Sequence, residues 1–351
     1  MNQNDISQEL LNHFKEYPLL EPQDAFKFLY HGIFGCEHMI SSEEKVIEYI
    51  KNESKTASKH SRLVEPLFGN YARLNLDILN SGLKAETLGK LFFLTSEKEK
   101  GSPDDLLKAI EVLKELAEKN QTPFKEEKLI TALSEWKEKG YPAIHHSETF
   151  RQNYHPSYRV IYRGFIKLLP LLCEIDKKAE EQNIIIAIEG SSASGKTTLG
   201  RHLRDIYDCN LFHTDDFFLQ PHQRTEERLS TPGGNLDRER FLQEIIIPLS
   251  EKKDICYHKF DCSKMALGDK VTAVPKRITV IEGAYSMHPD FKEYYDISVF
   301  LDIDQVLQKS RILKRNPGIA DRFFKEWIPM EKKYFDAFGI KEKCDFVISV
   351  N

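Results

Sequence analysis

The residues with the clearest chemistry are Gly190-Ser191-Ser192-Ala193-Ser194-Gly195-Lys196-Thr197, followed by Thr198. They match the phosphate-loop pattern G-x-x-x-x-G-K-[ST] at every fixed position. Glycines in such a loop let the backbone bend until successive N–H groups face phosphate oxygens. Lys196 is then placed to reach the outer phosphates, and Thr197 to ligate Mg²⁺. The expected ligands are ATP, held by residues 190–198, and Mg²⁺.

Two acids fall where such a loop needs them. One is in His213-Thr214-Asp215-Asp216-Phe217-Phe218, the other in Ile281-Glu282-Gly283. Phosphoryl transfer to a hydroxyl needs a carboxylate to accept the proton and oxygen ligands to organise Mg²⁺. Asp215 suits the base, and Glu282, with Thr197, the metal. Asp216 reads equally as a turn residue. In Asn235-Leu236-Asp237, the last residue reads either as a helix N-cap or as an acceptor for sugar hydroxyls. Arg311 and Arg315 are four apart and share one helix face. With Asn316-Pro317-Gly318 behind them they could close over a nucleotide and neutralise the transferring phosphoryl group. Taken alone, they read as a solvated helix face.

These residues require elements that bring them together. Short apolar, β-branched runs predict strands over 184–189, 210–214, 255–259, 277–282, 297–301 and 346–350. Helical patterns cover 238–247 and 305–314. Strands alternating with helices predict a mostly parallel sheet covered on both faces, with ligands at the carboxyl ends of the strands. The charged stretch 174–182 precedes the first of these strands, and the domain boundary is placed there: 1–176, then 183–351. The first part reads as mainly helical. Ser102-Pro103-Asp104-Asp105 starts one helix, with Leu106, Ile110, Leu113 and Ala117 at helical spacing. A second carries Leu129, Ile130, Leu133 and Trp136 and ends near Gly140. A third is expected over 159–169, bent or ended by Pro170.

The chain has 351 residues, 30% of them charged, and a formal net charge of -5. An acidic balance argues against a general nucleic-acid binder. The six cysteines form no C-x-x-C pair, which fits reduced thiols in a cytoplasmic protein. No signal peptide is apparent at the N-terminus, and no apolar run reaches the roughly 20 residues of a membrane span. The oligomeric state is open, a homo-oligomer included.

Residues 184–350 resemble the uridine kinase and phosphoribulokinase group of P-loop kinases. The resemblance is carried by residues 190–198, Thr214-Asp215-Asp216-Phe217-Phe218, Asn235-Leu236-Asp237, Phe260-Asp261 and Val280-Ile281-Glu282-Gly283. It implies an α/β P-loop kinase fold here, preceded by the mainly α-helical N-terminal domain. It also implies Asp215 as general base, Glu282 near Mg²⁺, Asp237 on ribose hydroxyls, and Arg311 and Arg315 as lid arginines on the phosphates. Phe260 and Asp261 stand where nucleoside kinases of the group have a tyrosine–aspartate pair near the base pocket. Two departures fall there. Phe260 replaces the tyrosine, and Cys262-Ser263-Lys264-Met265-Ala266 lacks the histidine that follows in the group. Kinase chemistry therefore transfers, whereas uridine as the substrate does not follow.

The N-terminal half resembles no characterised family. His31, Cys36 and His38, with His145, His146 and His155, offer ligands that could hold Zn²⁺. Their spacing fits no standard zinc pattern, and core or capping histidines are the commoner explanation. Arginines among tyrosines in 151–159, with Arg163, suit a phosphate or nucleobase, and equally a domain interface. The whole predicts a Mg²⁺–ATP phosphotransferase acting on a hydroxyl of a nucleoside or related sugar-bearing small molecule. Lys196, Asp215, Arg311 and Arg315 would be catalytic; Asp215, Asp237, Phe260 and Asp261 would hold the substrate. Two alternatives are a nucleotide-dependent switch whose N-terminal domain binds a partner, and a kinase of a larger acceptor such as a nucleotide sugar or an RNA end. The switch lacks an [NT]-K-x-D motif and the aspartate usual at the end of the fourth strand.

Overall fold

Residues 159–162, expected to open a helix, lie in a strand instead. The computed structural model describes residues 3–36, 42–57 and 62–350, and the chain divides into two units, Met1–Asp176 and Lys177–Asn351. In the first, β1 (Val64–Pro66), β2 (Tyr71–Asn75) and β3 (Tyr158–Tyr162) make an antiparallel sheet in the order β1-β2-β3. Every residue of β2 is buried, and pairing with it draws Val160 and Ile161 into the core as strand residues. Here tertiary pairing overrides the helical reading. A 3₁₀ turn, Arg163–Leu168, follows, and a helix then runs over Leu169–Glu181. Pro170 is that helix's second residue, where its missing N–H costs nothing.

The remainder of this unit is helical as expected. Ser102 caps Pro103–Glu118 in a capping box with Asp105, and Leu106, Ile110, Leu113 and Ala117 are buried. Glu126–Glu138 buries Leu129, Leu133 and Trp136 but leaves Ile130 exposed.

In the second unit β4 (Ile184–Gly190), β5 (Asn210–His213), β8 (Ile278–Glu282), β9 (Ile297–Ile303) and β10 (Phe346–Val350) form a parallel sheet. Their order is β10-β9-β4-β8-β5. The central strands β4 and β8 are buried almost throughout, whereas the edge strand β10 alternates exposed and half-buried residues. The mostly parallel sheet expected for this half is present. The strand expected over 255–259 is present as β6 (Ile255–Asp261), but it lies outside the parallel sheet. It pairs antiparallel with β7 (Ala266–Ala273), which no apolar alternation announced. The expected helix 238–247 is broken by a π turn at Leu242–Ile246 and continues through Ile247–Ser250.

Parallel order sets the geometry of the ligand end. Ile188 on β4 and His213 on β5 both register with Glu282 on β8, and Gly190 with Leu301 on β9. The loop after β4 thus leaves the middle of the sheet, with Glu282 beside it.

Candidate active site

Residues 190–195 form a tight loop feeding the helix Lys196–Tyr207. Gly190 has φ +146, and a Cβ there would lie 2.7 Å from the Leu301 carbonyl oxygen. Gly195 takes the left-handed N-cap position. The Lys196 ammonium folds back and donates to the carbonyls of Gly190 (2.7 Å) and Ser191 (3.1 Å). Ser194 Oγ is buried and has no hydrogen-bond partner. Thr198, one residue past Thr197, is exposed.

Two buried carboxylates grip this loop. Glu189 Oε1 accepts the Gly190 N–H (2.9 Å), while Oε2 accepts the Met287 N–H and the Tyr334 hydroxyl, both at 3.2 Å. Glu331 accepts the Ser192 N–H (2.9 Å) and Ser192 hydroxyl (2.6 Å). Burial raises the Glu189 carboxyl to about 7, opposed by the charge of Lys196. The Glu331 carboxyl is raised by the same cause, opposed by Lys196 and by the bonds from Ser192. Neither acid was assigned from sequence. Glu189 is visible there as the one charge in an apolar strand, but Glu331 stands 139 residues from its partner.

Glu282 ends β8, 4% exposed. Its Oε1 accepts the Thr197 hydroxyl at 2.9 Å and faces His213 Nδ1 at 2.5 Å. That hydrogen bond raises the His213 pKa against the lowering effect of burial. Gly283 next to it has φ +141, and a Cβ would fall 1.9 Å from Thr214 Oγ1. Only glycine lets the ends of β5 and β8 approach this closely. The Thr214 hydroxyl, donating to the Ala284 carbonyl at 2.9 Å, ties them. Asp215 follows on the 3₁₀ turn Thr214–Phe217.

Water reaches Asp215 from the cleft, yet the surrounding protein strips enough hydration to raise its pKa. Lys196 opposes that rise and Glu282 adds to it. Asp216, by contrast, accepts the Tyr257 hydroxyl at 3.0 Å and serves the turn.

Arg311 and Arg315 lie on the helix Gln305–Arg315. Arg311 donates to the Ala193 carbonyl at 3.2 Å, and Gln308 to the Ser192 carbonyl at 2.8 Å. Arg315 is exposed. Gln308 went unassigned, although it sits one turn from Arg311 on the same face. Asp237 caps its helix by accepting the Arg240 N–H (3.2 Å) and also accepts Gln223 Nε2 (2.8 Å). With Leu219, Gln223, Arg228 and Glu239 it lines a cavity of ≈ 260 Å³. Phe260 is buried. The Asp261 carboxylate turns into its own hairpin, accepting the Ser263 hydroxyl (2.6 Å) and N–H (2.8 Å). The neighbouring Cys262 thiol is raised by burial and by the charge of Asp215.

Among the N-terminal candidates, Cys36 is buried and donates to the Phe92 carbonyl, and His146 is held between Asp24 and Tyr158. His38 lies outside the described residues. Among the described residues no three His, Cys, Asp or Glu side chains gather as a metal site, and no helix is long and apolar enough to cross a membrane.

No family model matches the chain. It is 29% identical over 167 residues to the uridine kinase of Shewanella sp. strain W3-18-1, covering 44% of this chain and 78% of that protein. A Bacillus stearothermophilus structure named a possible uridine kinase aligns with 51% of this chain and 99% of its own, at 18% identity and TM-score 0.37. A shikimate kinase from Acinetobacter baumannii aligns at 19% identity and TM-score 0.25, over 50% of this chain and 87% of its own. Part of this chain is thus uridine kinase-like, with the P-loop kinase fold.

Proposed function

We propose that the C-terminal half is a cytoplasmic Mg²⁺–ATP phosphotransferase acting on a hydroxyl of a nucleoside or related sugar-bearing small molecule. The observation that carries it is the cluster at the loop's mouth. Asp215, exposed on the turn that follows β5, has its carboxyl raised by the surrounding protein, a rise that Lys196 opposes and Glu282 adds to. An exposed base of raised pKa suits proton abstraction near neutrality. Thr197 and Glu282 present adjacent hydroxyl and carboxylate oxygens, the hard donors Mg²⁺ takes. The ion, when bound there, supplies neutralisation of phosphate charge.

Lys196 and the loop amides bind the phosphates, Lys196 exchanging its two carbonyl contacts for phosphate oxygens. The unpartnered Ser194 hydroxyl gives the loop a further donor. Arg311 and Arg315 complete the charge on the lid side. Asp237 and Gln223 offer an acceptor–donor pair to sugar hydroxyls, and Phe260 and Asp261 shape the far wall.

The test is phosphate transfer from labelled ATP into a pooled extract of small metabolites, with wild type beside Asp215→Asn. Labelled product from wild type, at least about 100-fold less from Asp215→Asn, and ATP binding retained by Asp215→Asn but lost in Lys196→Ala, is the expected result. No product from wild type that binds ATP tightly would reject the transferase and favour a nucleotide switch.

A further inference from the structure

The N-terminal unit contains a cavity of ≈ 390 Å³ whose walls include Lys27, Arg151, His145, His146, His155 and Ser157. Its construction begins with Asp24, fully buried on the helix Pro22–Phe34. That carboxylate accepts the Ser147 N–H (3.0 Å), the Ser147 hydroxyl (2.6 Å), His146 Nδ1–H (2.8 Å) and the Glu21 N–H (3.0 Å). The three bonds from His146 and Ser147 pin the turn 145–147, and the fourth closes the capping box of Asp24's own helix. Ser147 then caps the helix Glu148–Tyr154, which carries Arg151 into the wall. With its Nδ1–H given to a carboxylate, His146 accepts the Tyr158 hydroxyl at Nε2 (2.6 Å). Burial drives its pKa down to about 3, so it is a neutral, saturated part of the wall.

The groups left over are of one sign. Lys27 is 7% exposed and spends one donor on the Ile144 carbonyl at 2.9 Å. Burial lowers its pKa to about 8, helped by the charges of Arg73 and Arg151 and opposed by that of Asp24, whose carboxylate is already saturated by its four donors. Glu53, the acid at the rim, is already paired with Arg159 at 2.8 Å. Ser157 is 4% exposed, and its hydroxyl has no hydrogen-bond partner among the described residues. A buried ammonium repelled by two guanidinium groups, beside an unsatisfied hydroxyl, carries a standing cost. An oxyanion in the cavity removes it by neutralising Lys27 and accepting from Ser157.

We infer that this cavity is a binding site for a phosphorylated small molecule, held by Lys27, Arg151 and Ser157. The arginine fork and the ammonium match phosphate oxygens. The volume exceeds a bare ion and falls within the range of small-metabolite pockets. The site is independent of the phosphate loop, which belongs to the other unit.

That independence sets the experiment. The full chain carrying Lys196→Ala, which cripples the loop's own phosphate contact, is titrated calorimetrically with inorganic phosphate at constant ionic strength. Acetate and chloride serve as controls. Saturable phosphate binding is expected, weakened tenfold or more by adding Arg151→Ala and roughly threefold by adding Ser157→Ala. Arg151 is exposed and the Ser157 change is small, so both variants should keep the wild-type circular dichroism. Phosphate binding unaffected by either change would place the ion elsewhere and overturn the inference. So would the absence of saturable binding, or equal binding of acetate, which would make the site a carboxylate site. If phosphate binding persists while wild type transfers no phosphate from ATP, only the kinase reading fails.

Discussion

Buried acids in the two units meet opposite fates. In the N-terminal unit, burial pushes the Glu65 carboxyl up, but Arg73 and His13 overcome it and hold the group at about 2. His13 lies 2.6 Å from one carboxylate oxygen and Arg73 3.1 Å from the other. The guanidinium is further sandwiched against Phe28 and Tyr158. Asp24 has four donors of its own. In the C-terminal unit, Glu189 and Glu331 have backbone and hydroxyl donors but no ion-pair partner among the described residues, and both are raised. A network that neutralises itself specifies a fold. One left short of cations keeps its acids' affinity for protons high instead. The N-terminal cavity repeats that logic with the sign reversed, leaving cations short of an anion.

The largest effect should come from breaking the charge-paired network around Glu65. Arg73→Met strands Glu65 in a core position, and losing one partner of a buried pair costs about 3–5 kcal/mol. The double change Arg73→Met with Glu65→Gln should recover a large part of it. The chain has two tryptophans. Trp136 lies in the first unit and Trp327 in the second, so urea unfolding with Trp327→Phe reads the N-terminal half alone. A single-variant loss below about 1 kcal/mol would show that the pair is not the anchor described.

The next effect concerns pH and separates the units by sign. Glu65 is held below its unfolded value of 4.5. Its contribution is therefore complete above about pH 4.5 and is lost as pH falls towards 2. Glu189 is held above its unfolded value, near 7. The folded unit binds the proton more tightly, so the C-terminal half should lose stability as pH rises from about 4.5 to 7, on the order of 3 kcal/mol. Glu189→Gln should flatten that slope. Trp327 emission during urea unfolding at several pH values, in a Trp136→Phe background, measures it. An unchanged slope in Glu189→Gln would mean the carboxyl is ionised throughout.

How far these features were legible follows from how local they are. The phosphate loop, the acids after β5 and β8, and the five parallel strands announce themselves in short windows, because apolar runs and glycine spacing are local properties. β7 does not, since Ala266-Leu267-Gly268-Asp269-Lys270 exposes most of its side chains and is a strand only through pairing with β6. β3 was misread for the same reason: its partner β2 lies almost ninety residues earlier. The grip of Glu331 on Ser192, and the cavity that joins Lys27 to Arg151 and Ser157, exist only once distant segments meet.

The smallest effect tests whether the loop's uncompensated acids oppose the nucleotide. Glu331 holds Ser192 through both its N–H and its hydroxyl, so it orders the loop while adding negative charge behind it. Glutamine can keep both contacts, its carbonyl accepting the N–H and its amide donating to the hydroxyl oxygen. Glu331→Gln then removes only the charge. At an effective dielectric suited to partly buried sites, relief of that repulsion is worth about 1 kcal/mol, or roughly fivefold tighter ATP binding. Glu331→Ala removes the contacts as well and should weaken binding. Calorimetric titration of ATP into the two variants separates charge from grip. Equal weakening in both would mean that the ionised carboxylate itself positions the loop, and that the charge imbalance between the two units serves the loop's geometry more than its affinity.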